Sequence, residues 1–472
     1  MAPFEVKVSK SEVVSAVLPV HEHWLPLSNL DLLLPPVDVG VFFCYEKPTK
    51  FISGAGHHNF GSLVKVLKNA LSQALVIYYA FAGEMDANMV GEPEILCNNR
   101  GVDFVEAYAD VELRELNLYN PDESVEGKLV PLKKNGVLAV QATQLKCGGV
   151  VVGCTFDHRV ADAYSANMFL VSWAELSQSK TLSILPSFRR SLLSPRRPGQ
   201  FECSLNDMYV LISTLPPPPK NEPTTNCTIL PPSTPISRIY YVEAEQVRIL
   251  QLLANYGNNC PKSKRSKFES FCAFLWKLLA TRTSVNSTSD TKTYSRLGIV
   301  VDGRTRIVEG DDRIQTKLAM ATYFGNVLSI PFGEFTNKEL IELPLSLIAN
   351  EVHNFLDEAL TKEHFLGLID FVEAHRPEPL LAKIYASKVT KEEPALVVSS
   401  GLRFPVRRMD FGWGAPVFGS YHFPWASQSG YVMPMPSPSG NGDWVVYMHL
   451  SKEQIEMVEN NAAHIFKPFY LY

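Results

Sequence analysis

In the segment VVVGCTFDHRVADA, residues 150–163, His158 and Asp162 share a polar turn between an apolar run and a helical pattern. An imidazole gains and loses a proton near neutral pH. It is therefore a natural base for an alcohol, which is a poor nucleophile until its proton is leaving. Given a thioester, whose carbonyl is electrophilic and whose sulfur leaves readily, one base plus positioning completes an acyl transfer with no covalent enzyme intermediate. The H-x-x-x-D spacing alone is weak, because His353 and Asp357 repeat it. That second pair lies in 345–360, where Leu345, Ile348, Val352, Phe355 and Leu356 form an apolar face; the two polar residues fall on the other side and read as a solvated face. His158 instead follows a buried-strand pattern with Gly148-Gly149 upstream. On these residues alone it is open between a general base and a satisfied core histidine.

Asp162 also has two readings. It could orient the imidazole, or it could point away and pair with an arginine. The second is preferred, with Arg304 of VDGRTR as partner, because a buried aspartate–arginine pair would hold the loop. A serine hydrolase is disfavoured, since no G-x-S-x-G elbow occurs. His21 and His23 lie in a loop without further ligands at suitable spacing, so no metal is expected.

The positioning elements follow from periodicity. Strands are predicted over 39–45, 137–145 and 150–156, and helices over 62–81 and 163–178. Prolines crowd 186–235, which reads as a crossover linker with a short element near 208–212. Beyond it come strands 236–242, 295–301 and 444–450, with helices to about 255 and over 266–280. Ser451 and Gln454 have capping-box spacing. The expected organisation is α/β: domain 1–185, linker 186–235 and domain 236–472.

Of the 472 residues, 46% are hydrophobic and 20% charged, and the formal net charge is −5. That composition supports a large core and argues against a nucleic-acid binder, which would carry a basic face. The eight cysteines include no C-x-x-C pair, which points to reduced, buried thiols. Residues 1–20 lack an apolar h-region, and no uncharged apolar run approaches ~18 residues. A cytoplasmic protein away from membranes is expected, and the sequons at Asn226 and Asn286 read as chance matches. The densest basic tract, Lys262, Lys264, Arg265 and Lys267, reads as a solvated loop before a helix or as a phosphate contact.

Taken together, His158-x-x-x-Asp162, Tyr323-Phe324-Gly325-Asn326, Asp410-Phe411-Gly412-Trp413-Gly414, LSNLD at 27–31 and CNNRGVDFVEA at 97–107 resemble the plant BAHD acyltransferase family along nearly the whole chain. The resemblance implies two chloramphenicol-acetyltransferase-like domains, each a mixed sheet flanked by helices, with an active-site channel between them. It implies an acyl-CoA co-substrate, no permanently bound cofactor and a monomer. It places His158 mid-channel as base. Asp162, Arg304, Asn326, Asp410, Gly412, Trp413 and Gly414 take structural roles, with the DFGWG turn remote from the chemistry. It puts CoA contacts at Lys264, Ser266 and Lys267, where a helix N-terminus favours phosphate.

Three departures refine this. Ala163 stands where Gly often follows the motif aspartate. Ser399-Ser400-Gly401 stands where some members carry Thr-Ser-Trp; Ser399 keeps a hydroxyl for the oxyanion, and loss of the indole is expected to leave space for a different acceptor. Leu366 replaces an arginine that grips acceptor carboxylates in the shikimate and quinate hydroxycinnamoyltransferases, so a carboxylate acceptor is disfavoured. HEHWLPLSNLDLLLPP and GSYHFPWASQSGYVMPMPSP look most like coniferyl alcohol acyltransferases, with alkaloid acyltransferases of the cocaine synthase type also similar. The expected reaction is esterification of a phenylpropenyl alcohol. The alternatives are an alkaloid alcohol, an amine, or a ligand-binding member without turnover.

Overall fold

The computed structural model describes residues 4–48, 59–215, 235–257, 264–280, 294–389, 395–425 and 429–471. Residues 216–234 of the proline-rich tract, both sequons, Cys227, Cys260 and Lys262 lie outside these residues.

Two sheets carry the architecture. The first has six strands in the order Val6–Val14, Val102–Ala109, Leu138–Leu145, Val150–Asp157, Asp38–Tyr45 and Phe418–His422. All its pairings are antiparallel except that of 102–109 with 138–145. Strands Asp38–Tyr45 and Val150–Asp157 are nearly continuous apolar runs because they are covered on both faces; Val150–Asp157 is buried at every position. Helices Phe60–Ile77 and Ala163–Ser177 pack together against this sheet. Phe60–Ile77 is the one helix among the described residues that is long and apolar enough to cross a membrane, and Leu63, Val64, Leu67, Leu71 and Leu75 bury its apolar face in this core.

The second sheet has seven strands in the order Phe332–Thr336, Tyr294–Ile299, Ala395–Val398, Gly430–Pro436, Trp444–Leu450, Ile236–Val242 and Lys467–Pro468. Helices Ala244–Ala254, Lys267–Ala280, Leu345–Ala359 and Lys452–Ala462 supply its second core. Ser451 caps the last of these in a reciprocal capping box with Gln454, as the spacing predicts.

The linear division at 236 needs correction. Strand Phe418–His422 belongs to the second half of the chain but pairs antiparallel with Asp38–Tyr45, completing the first sheet. Residues Phe404, Met409, Phe411 and Trp413 sit in the first core with it. An edge strand leaves its backbone groups unpaired, and the second lobe supplies the missing partner. The linker is also structured where described: Tyr209–Leu211 pairs with Leu380–Ala382. Cys44, Cys97, Cys154 and Cys272 are buried thiols, but Cys147 and Cys203 are exposed, against the expectation that the thiols are buried. His353 is not a free solvated residue: its Nδ1 meets Glu269 Oε1 at 2.7 Å and ties two helices together.

One close approach fixes the strand that ends at the active turn. A Cβ on Gly153 would lie 2.1 Å from the Leu129 carbonyl oxygen, a backbone atom that cannot swing aside. Gly153→Ala is expected to destabilise the protein by about 2 kcal/mol or more, an overpacking cost; an unchanged urea midpoint would show that the segment at Leu129 yields freely. A second prediction concerns His364, whose Nε2 meets Ser329 Oγ at 2.8 Å and whose pKa burial pushes down to about 4. The neutral ring is favoured in the folded state, so its contribution is present above the ordinary histidine value of about 6.5 and is lost as pH falls toward 4. Melting curves across that window should show the gap between wild type and His364→Gln shrinking with acid; a constant gap would contradict the assignment.

Candidate active site

His158 stands just past the end of strand Val150–Asp157. Its backbone N–H donates to the Val37 carbonyl at 2.9 Å, which fixes the turn to the start of the neighbouring strand. Asn326 holds the turn from the other lobe: its Nδ2 donates to the carbonyls of His158, at 2.9 Å, and Arg159, at 3.2 Å. Asn326 is itself gripped by Asp31, whose Oδ1 accepts its backbone N–H at 2.6 Å and its Nδ2 at 2.9 Å. Asp31 Oδ2 accepts from the backbone and hydroxyl of Ser28. The LSNLD and YFGN motifs are thus two halves of one clamp on the loop that carries the imidazole. No sequence pattern relates them, and the partnership is visible only in three dimensions.

Asp162 faces away from the imidazole. Its Oδ2 accepts from Arg304 Nη1 at 2.8 Å and from the Val327 N–H at 3.2 Å. Its Oδ1 accepts from Arg304 Nη2 at 3.1 Å and from the Ser165 N–H at 2.8 Å, the latter capping helix Ala163–Ser177. Both partners of the ion pair are nearly fully buried, at 1% and 3% exposure. Arg304 is saturated further by the carbonyls of Tyr323 and Gly325, the hydroxyl of Ser165, the carboxylate of Asp302 and the face of Tyr164. Burial opposes the charge on the guanidinium, but the carboxylates of Asp162 and Asp302 outweigh it and raise its already high pKa. Arg190 adds a similar tie that sequence reasoning missed, bonding the Tyr323 hydroxyl and the Phe324 and Pro26 carbonyls.

Between the lobes lies a cavity of about 1260 Å³. His158, Asn167 and Val171 line it from the first half of the chain, and Arg304, Ser399 and Tyr431 from the second. Among the described residues neither ring nitrogen of His158 forms a hydrogen bond, and Nδ1 is buried. The arrangement can present an unengaged imidazole to a bound hydroxyl, with no carboxylate among the described residues bonded to either ring nitrogen.

The other expected site residues fall as follows. Ser399 lines the cavity, as does Tyr431. Gly401 lines it too, but the space expected from a missing indole is taken: a Cβ there would meet Met435 Cγ at 2.7 Å and Met433 Cγ at 3.0 Å. Leu366 lies on helix Lys362–His375, no residue of which lines the cavity, so the argument from a lost carboxylate clamp concerns a position off the wall. None of Asp410, Phe411, Gly412, Trp413 and Gly414 lines the cavity. Asp410 Oδ1 accepts from the N–H groups of Gly412 and Gly414, at φ of 102° and 112°, where only glycine is unstrained. Trp413 packs edge-on to Tyr45.

The expected CoA contacts change most. Lys264, Ser266 and Lys267 do not line the cavity, although the next residue, Phe268, does. Ser266 is engaged in a capping box with Glu269, whose carboxylate occupies the helix N-terminus where a phosphate was expected. Arg265, between them, is buried at 7% exposure, with Nε and Nη1 unpartnered.

This interlobe cavity with a histidine at its seam defines a two-lobed α/β transferase. A family model described as "Transferase family" matches residues 4–465, and the chain belongs to that family, the BAHD acyl-CoA-dependent acyltransferases. It is 27% identical over 470 residues to a shikimate O-hydroxycinnamoyltransferase of Nicotiana tabacum, covering 96% of this chain and 98% of the relative. It is 29% identical to a rosmarinate synthase of Plectranthus scutellarioides, covering 96% and 98%. It is also 29% identical to an omega-hydroxypalmitate O-feruloyl transferase of Arabidopsis thaliana, covering 83% and 78%. Among solved structures, vinorine synthase superposes with a TM-score of 0.69 at 19% identity, covering 98% of each chain. F. graminearum TRI101, complexed with coenzyme A and T-2 mycotoxin, gives 0.70 at 12% identity, covering 94% and 98%. The two structures share the fold of two chloramphenicol-acetyltransferase-like domains.

Removing Asp162 would leave Arg304 buried with Asp302 as its one remaining carboxylate among the described residues. Asp162→Ala is expected to cost about 3–5 kcal/mol in urea unfolding, the penalty for breaking a buried pair on one side. Wild-type stability with lost activity would transfer Asp162 to an imidazole-orienting role.

Proposed function

We propose that this acyltransferase esterifies a hydroxyl of a plant specialised metabolite, with His158 as general base and direct attack on the thioester. The observation that carries this reading is the imidazole at the cavity wall with neither ring nitrogen engaged. The hydroxyl proton passes to the imidazole as the oxygen bonds to the thioester carbon. The resulting oxyanion collapses, the C–S bond breaks, and the proton passes from the imidazole to the departing thiolate. Ser399 and Tyr431 supply the hydroxyls for the oxyanion, with Tyr431 kept protonated by burial. With this goes the expectation of a monomer acting in the cytoplasm.

The acceptor we favour is a phenylpropenyl alcohol such as coniferyl alcohol. The apolar, aromatic wall supports it, since Phe156, Tyr385, Phe423, Trp425 and Tyr431 line the cavity. Amine acylation is the second reading, because an anthranilate N-benzoyltransferase of Dianthus caryophyllus is also 27% identical over 94% of this chain.

Purified protein with an acyl-CoA and coniferyl alcohol should release free thiol, and mass spectrometry should find the ester. Thiol release without alcohol would mark a hydrolase, and none at all a binding protein. His158→Ala should lower kcat by about 10²–10⁴, the range for a general base, while CoA still binds in calorimetry. Wild-type turnover in that variant would remove His158 from the mechanism.

A further inference from the structure

The wall beside His158 is built from rings in contact with one another. Phe423 lies edge-on to His158, with centroids 6.3 Å apart, and touches both Trp425, at 5.4 Å, and Tyr431, at 5.1 Å. Trp425 in turn faces Tyr385 at 4.9 Å with an interplanar angle of 32°. A second group of lining residues is polar and clusters elsewhere: Tyr164 lies against Arg304 and bonds the Ala321 carbonyl, close in sequence to the lining Lys317. The aromatic group is thus contiguous with the base, and the basic group with the lobe junction.

The backbone of the aromatic segment is held by a closed circuit of hydrogen bonds. The Trp425 carbonyl meets His449 Nε2 at 3.0 Å, and a carbonyl only accepts, so Nε2 carries the proton. Burial lowers the pKa of His449 and favours the neutral ring, leaving Nδ1 to accept from Ser237 Oγ at 3.0 Å. Ser237 Oγ meets the Tyr447 hydroxyl at 3.1 Å, and that oxygen accepts the Phe423 N–H at 3.1 Å. Every polar atom in this circuit is satisfied. The indole Nε1 of Trp425 is not: it is buried and has no partner among the described residues. A buried donor left unpaired in a rigid setting calls for an explanation. Since no described residue provides an acceptor, a molecule entering the cavity can.

We propose that Trp425 is a specificity-determining residue whose indole N–H hydrogen-bonds an oxygen substituent on the aromatic ring of the acceptor alcohol, with Tyr385 and Phe423 flanking that ring. This rests on the acceptor reading above and narrows it to oxygenated aromatic alcohols. The ring goes to the acceptor rather than to the acyl group because the base contacts this wall, whereas the phosphates of acyl-CoA require the basic residues elsewhere.

The test compares coniferyl alcohol with cinnamyl alcohol, which has no ring oxygen, at one fixed acyl-CoA, in wild type and Trp425→Phe. The variant keeps a flat ring and loses the donor. Wild type should prefer coniferyl alcohol in kcat/KM. In Trp425→Phe that preference should fall about fivefold, as expected for one neutral hydrogen bond, with the KM for acyl-CoA unchanged. Equal losses on both alcohols, or a change confined to the acyl-CoA KM, would overturn the assignment. Should the variant melt markedly lower, wild type alone decides: no preference for the oxygenated ring sinks the proposal. Turnover of neither alcohol by wild type would instead defeat the acceptor reading. Fluorescence titration of the CoA-loaded protein with the two alcohols then still decides on Trp425, with tighter binding of coniferyl alcohol supporting it and equal binding overturning it.

Discussion

The buried ion pair between Asp162 and Arg304 is the constraint on which the site depends. Two charges out of water cost several kcal/mol each unless their geometry is close to ideal. Here the carboxylate accepts four hydrogen bonds, and the guanidinium reaches carbonyls on both sides of Phe324. Such a pair adds little net stability over a well-packed apolar pair, but it tolerates only one relative placement of its elements. Asp162 caps the helix after the active turn, and Arg304 starts a short helix of the second lobe. The pair therefore converts the capping of one element into the registry of two lobes.

A second tie acts in the same direction. Asp31, Asn326 and the backbone of His158 form a chain from the first lobe through the second and back to the turn that carries His158. The swapped strand Phe418–His422 adds a third, with main-chain bonds that no side-chain change removes. The cavity floor is thus fixed from three directions. An imidazole that no carboxylate orients still keeps its place, because its backbone is held instead.

The local parts of this design were legible in the sequence. Strand Ile236–Val242, helix Leu345–Ala359 and the Ser451–Gln454 cap follow from periodicity and capping chemistry within a few residues of chain. The Asp162–Arg304 pairing was also readable, because a buried charge demands a partner and the VDGRTR segment offered one. What escaped prediction is what depends on tertiary juxtaposition. The exchange of strand 418–422 reads as an ordinary strand in either lobe. Arg265 looks like part of a solvated basic tract until Asn255 is seen bonding its backbone on both sides. At Gly401 the sequence records a lost indole, while the methionines that fill its place sit more than thirty residues downstream on a neighbouring strand.

These observations bear on how specificity and chemistry are separated. The polar side chains at the lobe junction are committed to structure: Asp162, Arg304, Asn326, Asp31 and Ser165 bond one another or the backbone. A group so engaged cannot be altered to suit a new substrate without loosening the lobes, because each change strands a buried partner. The cavity wall away from the junction is different. Phe423, Trp425, Tyr385, Met433 and Gly401 contribute rings, a thioether and a bare backbone, and substitutions among them change shape without leaving a buried charge. The reactive centre can then stay constant while the wall varies. This is the physical condition under which one fold, at identities near 27%, can accommodate relatives named for shikimate esters and anthranilate amides alike.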